Sequence, residues 1–287
     1  MGVMSRFRSA ARASWCRLAE MVDGLRLYWH YVTISVRGQM QYRASFIMLT
    51  VALFFNMGLE FLSIWILFDR FGSLQDWTLP EVALLYGMVN IAFALAEGVA
   101  RGFDEFSPLV RTGQFDRLLL RPRSTALQVV GLEVQLIRLG RLLQGLAVLL
   151  WAAAALGVTW TVGRILLMLA TVVGGACLFA GLFVLQATMC FWSTESLEVF
   201  NTMTYGGVQT AQYPLSVYRA EFRRFFTYVI PLATVTYYPA LAILDKADPL
   251  GSTRLMQYMA PTFGVIFLLV CLRIWRFGER RYRSTGS

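Results

Sequence analysis

The chain has 287 residues, of which 57 % are hydrophobic and only 15 % charged, against roughly 25 % charged in soluble domains. Such a composition cannot cover a water-facing surface, so lipid must be part of its solvent, and the length allows one membrane domain with no second soluble domain. The net charge is +9, and Lys246 is the only lysine among 26 basic residues. Inside apolar flanks these arginines fix membrane orientation and meet anionic headgroups; a nucleic-acid partner is not expected.

In chain order, residues 1–43 carry seven arginines. Apolar residues between Trp15 and Tyr31 recur at helical spacing among charges, which predicts an amphipathic helix in the cytoplasmic headgroup layer. Ala44–Phe68 is the first span, interrupted by Asn56 and Glu60. An outer loop ending at Pro80 leads into a second span, Glu81 to about Ala100, which holds Asn90 and Glu97. Arg101–Arg141 then places seven arginines between apolar blocks, and a loop of that kind stays on the cytoplasmic side. Leu142–Trp160 is the third span. Ile165–Trp192, 28 residues without a charge, is the fourth and is long enough to cross a bilayer. Trp151, Trp160, Trp192 and Trp275 fall near span ends, where interfacial anchors belong.

The last third has a parity problem. Val199–Tyr218, Phe225–Leu244 and Leu255–Leu272 all lack charges, but three crossings would put the arginine-rich tail outside. If Val199–Tyr218 stays inside, the basic residues divide 22 inside to 4 outside; if Phe225–Leu244 dips in and returns, 19 to 7. Asn201, Thr202, Gln209 and Gln212 make the first stretch a poor lipid-facing helix but a good wall for a polar path. Pro231 and Pro239 would break the second, and broken backbone at membrane depth is tolerated where protein or a cavity covers it.

Chemistry of the chain's own is hard to place. A P-loop needs a lysine after a glycine turn, and Lys246 follows Leu244 and Asp245. His30 is the only histidine, which excludes a histidine-based metal cluster and most nucleophile–histidine pairs. No metal and no cofactor is expected on this chain. Glu60 and Glu97 are charges inside spans, which are costly and point to function by default; Glu97 is also placed to pair with Arg101 or with solvent. Trp77, Tyr228, Tyr237 and Tyr238 form an outer aromatic block that would suit a flat amphipathic cargo or serve as anchors. In the arginine-rich segment, two Phe-Asp pairs, Phe103-Asp104 and Phe115-Asp116, frame a short amphipathic helix offered to the cytosol.

Four pieces of sequence then converge: Gly113–Pro122 (GQFDRLLLRP), Ala211–Tyr218 (AQYPLSVY), the Pro231…Tyr237-Tyr238-Pro239-Ala240 block, and the closing Trp275-Arg276-Phe277-Gly278…Tyr282-Arg283-Ser284-Thr285-Gly286. Together they resemble the ATP-binding-cassette type 2 (ABC-2) exporter permeases, in the branch whose members mostly have unassigned substrates. The resemblance implies an all-α membrane protein with six spans, near 44–68, 81–100, 142–160, 165–192, 196–218 and 255–276. Residues 1–43 would form a cytoplasmic N-terminal segment with an interfacial helix, and 277–287 a cytoplasmic tail. It also implies a coupling helix between spans two and three and re-entrant helices between spans five and six. Two permease subunits, identical or sister chains, would dock on separate ATPase subunits that carry the ATP and Mg, in a bacterial plasma membrane. Phe103, Asp104, Phe115, Asp116, Arg117 and Arg121 would then serve coupling, with Phe115 filling a pocket on the ATPase and both arginines pairing with its acidic groups. Asn56, Glu60, Asn90, Asn201, Gln209 and Gln212 would line the path. A secondary transporter and a lipid-modifying membrane enzyme are the rival readings; no internal repeat and no cationic partner for Glu60 supports the first, and the scarcity of His and Lys disfavours the second.

Overall fold

A computed structural model describes residues 23–24, 26–192 and 197–282. The expected amphipathic helix Trp15–Tyr31 lies outside the described residues over most of its length. Among the described residues the chain is helical, with no strand. Helix α1 (26–39) runs through a 3-10 turn, Met40–Tyr42, into α2 (Arg43–Phe71). Then come α3 (Leu79–Asp104), α4 (Phe106–Arg111), α5 (Gln114–Leu119), α6 (Thr125–Leu132), α7 (Leu139–Ala155) and α8 (Val162–Met189). The last third holds α9 (Leu197–Ala211), α10 (Ala220–Arg224) with a π turn (Phe225–Val229), α11 (Tyr237–Leu244) and α12 (Arg254–Glu279).

Five segments are long and apolar enough to cross a bilayer: Arg26–Phe71, Leu79–Arg111, Leu136–Ala155, Val162–Met189 and Arg254–Glu279. The chain is a multi-pass membrane protein. A sixth would be the pair Ala220–Val229 and Leu232–Leu244, which is bent by 79°. Helix α9 has 15 residues, about 22 Å at the helical rise.

Helix α3 is the centre of the bundle. From Val82 to Ala94 every residue is buried, against α7, α8, α9 and α2. Its start is written in the sequence. Thr78 and Glu81 form a capping box around Pro80, with the Thr78 N–H donating to Glu81 Oε2 at 2.8 Å. Lys246, just after α11, donates to the same carboxylate at 2.7 Å and lies 4.7 Å above the Trp77 ring. Leu74 and Trp77 bridge across Gln75 and Asp76, both at positive φ (46° and 65°), the backbone of a type I′ turn. The outer aromatic block is therefore mostly structural: Trp77, Tyr237 and Tyr238 are buried, and only Tyr228 is exposed. Tyr237 Oη donates to Asp248 Oδ1 at 2.7 Å, closing the 245–253 loop over α11.

Helix α2 contrasts with α3. Only Met57, Ile64 and Phe68 are buried in it, one stripe at helical spacing, while Ile47, Met48, Phe55, Leu59 and Ile66 point outward. In the bent segment Val235, just before α11, packs against Gly175 near the middle of α8, and Lys246, just after α11, reaches Glu81 at the start of α3.

Helices α8 and α12 touch backbone to backbone. A Cβ built on Gly264 would stand 2.0 Å from the Gly174 carbonyl oxygen, and one on Gly174 would stand 2.3 Å from that of Pro261. Lipid supplies no hydrophobic drive between helices, so such close approach holds the pair through dispersion contacts. A Gly264→Leu variant should lose about 1–3 kcal/mol through overpacking, read as a lower thermal midpoint in detergent, whereas Gly163→Ala, whose added Cβ meets nothing within 4 Å, should leave the midpoint unchanged.

Candidate functional site

At the arginine-rich end of the bundle, α3 gives way to two short helices rather than one. Ala100 leaves helical geometry (φ −107°, ψ 15°), the chain breaks at Glu105, and Gly113 takes φ +68° between α4 and α5, a conformation that favours glycine. The expected single amphipathic helix is thus an elbow of two six-residue helices. Its apolar side, Phe106, Val110, Phe115 and Leu118, is buried.

These rings join a shared aromatic cluster. Phe106 lies 5.1 Å from Phe115 and 5.0 Å from Trp275, while Phe115 lies 5.0 Å from Tyr282. Phe103 and Phe191 each approach Trp275, at 5.1 and 5.0 Å, mostly edge-to-face as ring quadrupoles prefer. Trp275 Nε1 donates to Thr125 Oγ1 at 3.2 Å, adding α6. The cluster therefore fastens the elbow to the ends of α3, α8 and α12. Two expectations change. Phe115 is fully buried in its own chain, so its ring is not free to fill a pocket elsewhere, and Phe103 is buried with it. Trp275, expected as an interfacial anchor, is also a core residue. Asp116 stays near the surface beside Tyr282, whose phenol is pushed above its ordinary value by burial and by that carboxylate. The outward edge consists of Arg111, Arg117, Leu120, Arg121 and Arg123; Leu120 is 85 % exposed. Arg117 and Arg121 are thus where a partner could reach them.

Just inside the elbow lies a buried charge network. Glu97 is inaccessible to solvent and faces Arg141 at 3.1 Å, Arg138 at 3.4 Å and Arg101 at 3.9 Å. One turn on, Arg101 pairs with Asp104 and with Glu105, the latter at 2.6 Å, and donates to Tyr205 Oη at 2.9 Å. Asp104 also accepts from Gln186 Nε2 and Tyr205 Oη, both at 2.9 Å. Asp104 is therefore an internal residue, not one offered to a partner. The Arg141 guanidinium sits 4.8 Å above the Phe93 ring. Three carboxylates and three guanidiniums cancel, and they tie α3 to α7, α8 and α9. Glu97–Arg101 is legible as an i,i+4 pair; Arg138, Arg141, Gln186 and Tyr205 carry no local signal that assigns them to it.

A second polar group lies farther along α2. Gln212 Nε2 donates to Glu60 Oε1 at 3.0 Å and Gln209 Nε2 to the same oxygen at 3.4 Å. Three of the six path candidates thus meet. Asn90 does not join them: it is buried against α7, its Nδ2 donating to the Tyr86 carbonyl at 3.0 Å. Asn56 and Asn201 are exposed on α2 and α9.

An apolar multi-pass bundle with a balanced charge cluster at one end and a polar group within it is an integral membrane protein. The family model described as "ABC-2 family transporter protein" matches residues 54–286, and the chain belongs to that family as a membrane transport component. Neither a curated protein nor a solved structure matches it.

Removing one member of a buried ion cluster strands the others. Glu97→Gln should cost about 3–5 kcal/mol, read as a fall in the thermal midpoint of the detergent-purified protein. The double variant Glu97→Gln/Arg141→Gln should recover part of that loss, as directly coupled residues do.

Proposed function

We propose that this chain is the permease subunit of an ATP-driven exporter, moving a small amphipathic or lipid-linked substrate out of the cytoplasm with separate ATPase subunits. The observation that carries this reading is the α4–α5 elbow. Its apolar side is locked into the aromatic cluster while its outward edge presents Arg117, Leu120 and Arg121. A partner gripping that edge would move the ends of α3, α8 and α12 as one body. Two ATPase subunits closing around ATP and Mg would then bias the bundle between two arrangements, which is what such coupling requires. Arg117 and Arg121 would pair with acidic groups of the ATPase, and Leu120 would supply the buried apolar contact at the centre of that interface.

In this reading the arginine-rich end and both termini are cytoplasmic, in a bacterial plasma membrane, and the spans are α2, α3, α7, α8, α9 and α12. The bent segment from α10 to α11 enters from the outer side and returns. What supports this is the brevity of α11, about 12 Å at the helical rise, together with Val235 facing the middle of α8. Two such subunits, identical or sister chains, would meet through the bare face of α2, and the Glu60–Gln209–Gln212 group would line the path.

Arg117→Ala/Leu120→Asp/Arg121→Ala should leave the thermal midpoint within about 0.5 kcal/mol-equivalent of wild type, as surface changes do, while abolishing transport-linked ATP hydrolysis in reconstituted vesicles. Full coupling in that variant would remove the assignment. An Arg223→Cys variant in intact cells should react with a membrane-impermeant maleimide added outside; reaction only after the membrane is opened would place the α10 segment on the inner side.

A further inference from the structure

Glu60 lies in α2 about 16 Å from the helix end at Phe71, yet no cation pairs with it among the described residues. Glu97, by contrast, faces three guanidiniums. Arg141, which also lies near Tyr86, is committed to Glu97 at 3.1 Å. The groups that do meet Glu60 are neutral. Gln209 and Gln212 both donate to Oε1, which leaves Oε2 without a hydrogen bond among the described residues. Tyr213, next in the chain after Gln212, is half-buried. Tyr86 is fully buried and held by donating to the Met57 carbonyl at 2.9 Å, one turn from Glu60. The carboxylate is only half-buried and Gln209 is exposed, so the group opens on the face shared by α2 and α9.

Amide donors orient a carboxylate but do not neutralise it, and an unneutralised charge at membrane depth is expensive. A cation would supply what the chain withholds. A tyrosine ring beside the carboxylate suits a cation carried on an apolar or aromatic body, which it holds through its face. We propose that Glu60, with Gln209, Gln212 and Tyr213, is a recognition site for organic cations. Glu60 Oε2 meets the positive centre, the two amides fix the carboxylate, and the Tyr213 ring packs on the body of the ligand. This rests on the reading of the α2–α9 face as the translocation path, and it names the class of cargo.

Tetraphenylphosphonium and tetraphenylborate share a shape and differ in the sign of their charge. The purified full-length chain in detergent should bind radiolabelled tetraphenylphosphonium saturably, and excess tetraphenylborate should not displace it. Glu60→Gln should weaken that binding by about tenfold or more, and Glu60→Asp should retain part of it. No saturable binding, equal displacement by the borate, or unchanged affinity in Glu60→Gln would each overturn the proposal; the first two need no variant to fold. A Gln209→Cys variant, at an exposed position, separates this from the path reading. Faster modification by a cationic than by an anionic methanethiosulfonate, lost when Glu60→Gln is added, supports the site. Equal rates with both reagents overturn the cation preference and leave the path standing, whereas no reaction with either overturns the path as well.

Discussion

The structure depends on what surrounds Glu97. A carboxylate with no solvent contact is tolerable only because three guanidiniums from two helices reach it, and those guanidiniums are tolerable because Glu97, Asp104 and Glu105 balance them. In a bilayer, where apolar helices gain nothing from leaving lipid tails for one another, directional pairing decides which helices are neighbours. Arg141 brings α7 to α3, Gln186 brings α8, and Tyr205 brings α9. The registers of four helices are thereby fixed at one level. Close packing farther along, such as the Gly174–Gly264 crossing, follows from helices already set in place.

The aromatic cluster beyond that network has a different job. Phe103, Phe106, Phe115, Phe191, Trp275 and Tyr282 come from parts of the chain far apart in sequence, and together they make the elbow an extension of the bundle, not a loop on its surface. Closely packed interiors transmit displacement because they have few voids in which to absorb it. The division of labour follows from burial: rings hold the elbow from within, while Arg117, Leu120 and Arg121 meet the outside.

Much of the fold was legible in the sequence because the bilayer imposes a length and a polarity on every span. Long apolar helices are what hydropathy reports, and five among the described residues are long and apolar enough to cross a bilayer; the Thr78–Glu81 capping box marks the start of α3. What hydropathy could not rank was burial among the spans. The sequences of α2 and α3 are both apolar, and nothing local says that α3 is enclosed while most of α2 is left uncovered. The same blindness explains Phe115. An aromatic residue beside an aspartate in a polar segment looks available to a partner, and only the distant Trp275 and Tyr282 show that it is core. For the polar candidates, residue type located Glu60, Gln209 and Gln212, but their convergence is a property of how α9 meets α2. Asn90, of equal polarity, satisfies its own helix instead.

The backbone contact between α8 and α12 has a mechanical consequence. With no side chain standing between Gly174, Pro261 and Gly264, and with Phe191 and Trp275 in ring contact at one end, the two helices are held at two levels and form one strut. A push delivered near Trp275 would therefore travel along both of them together.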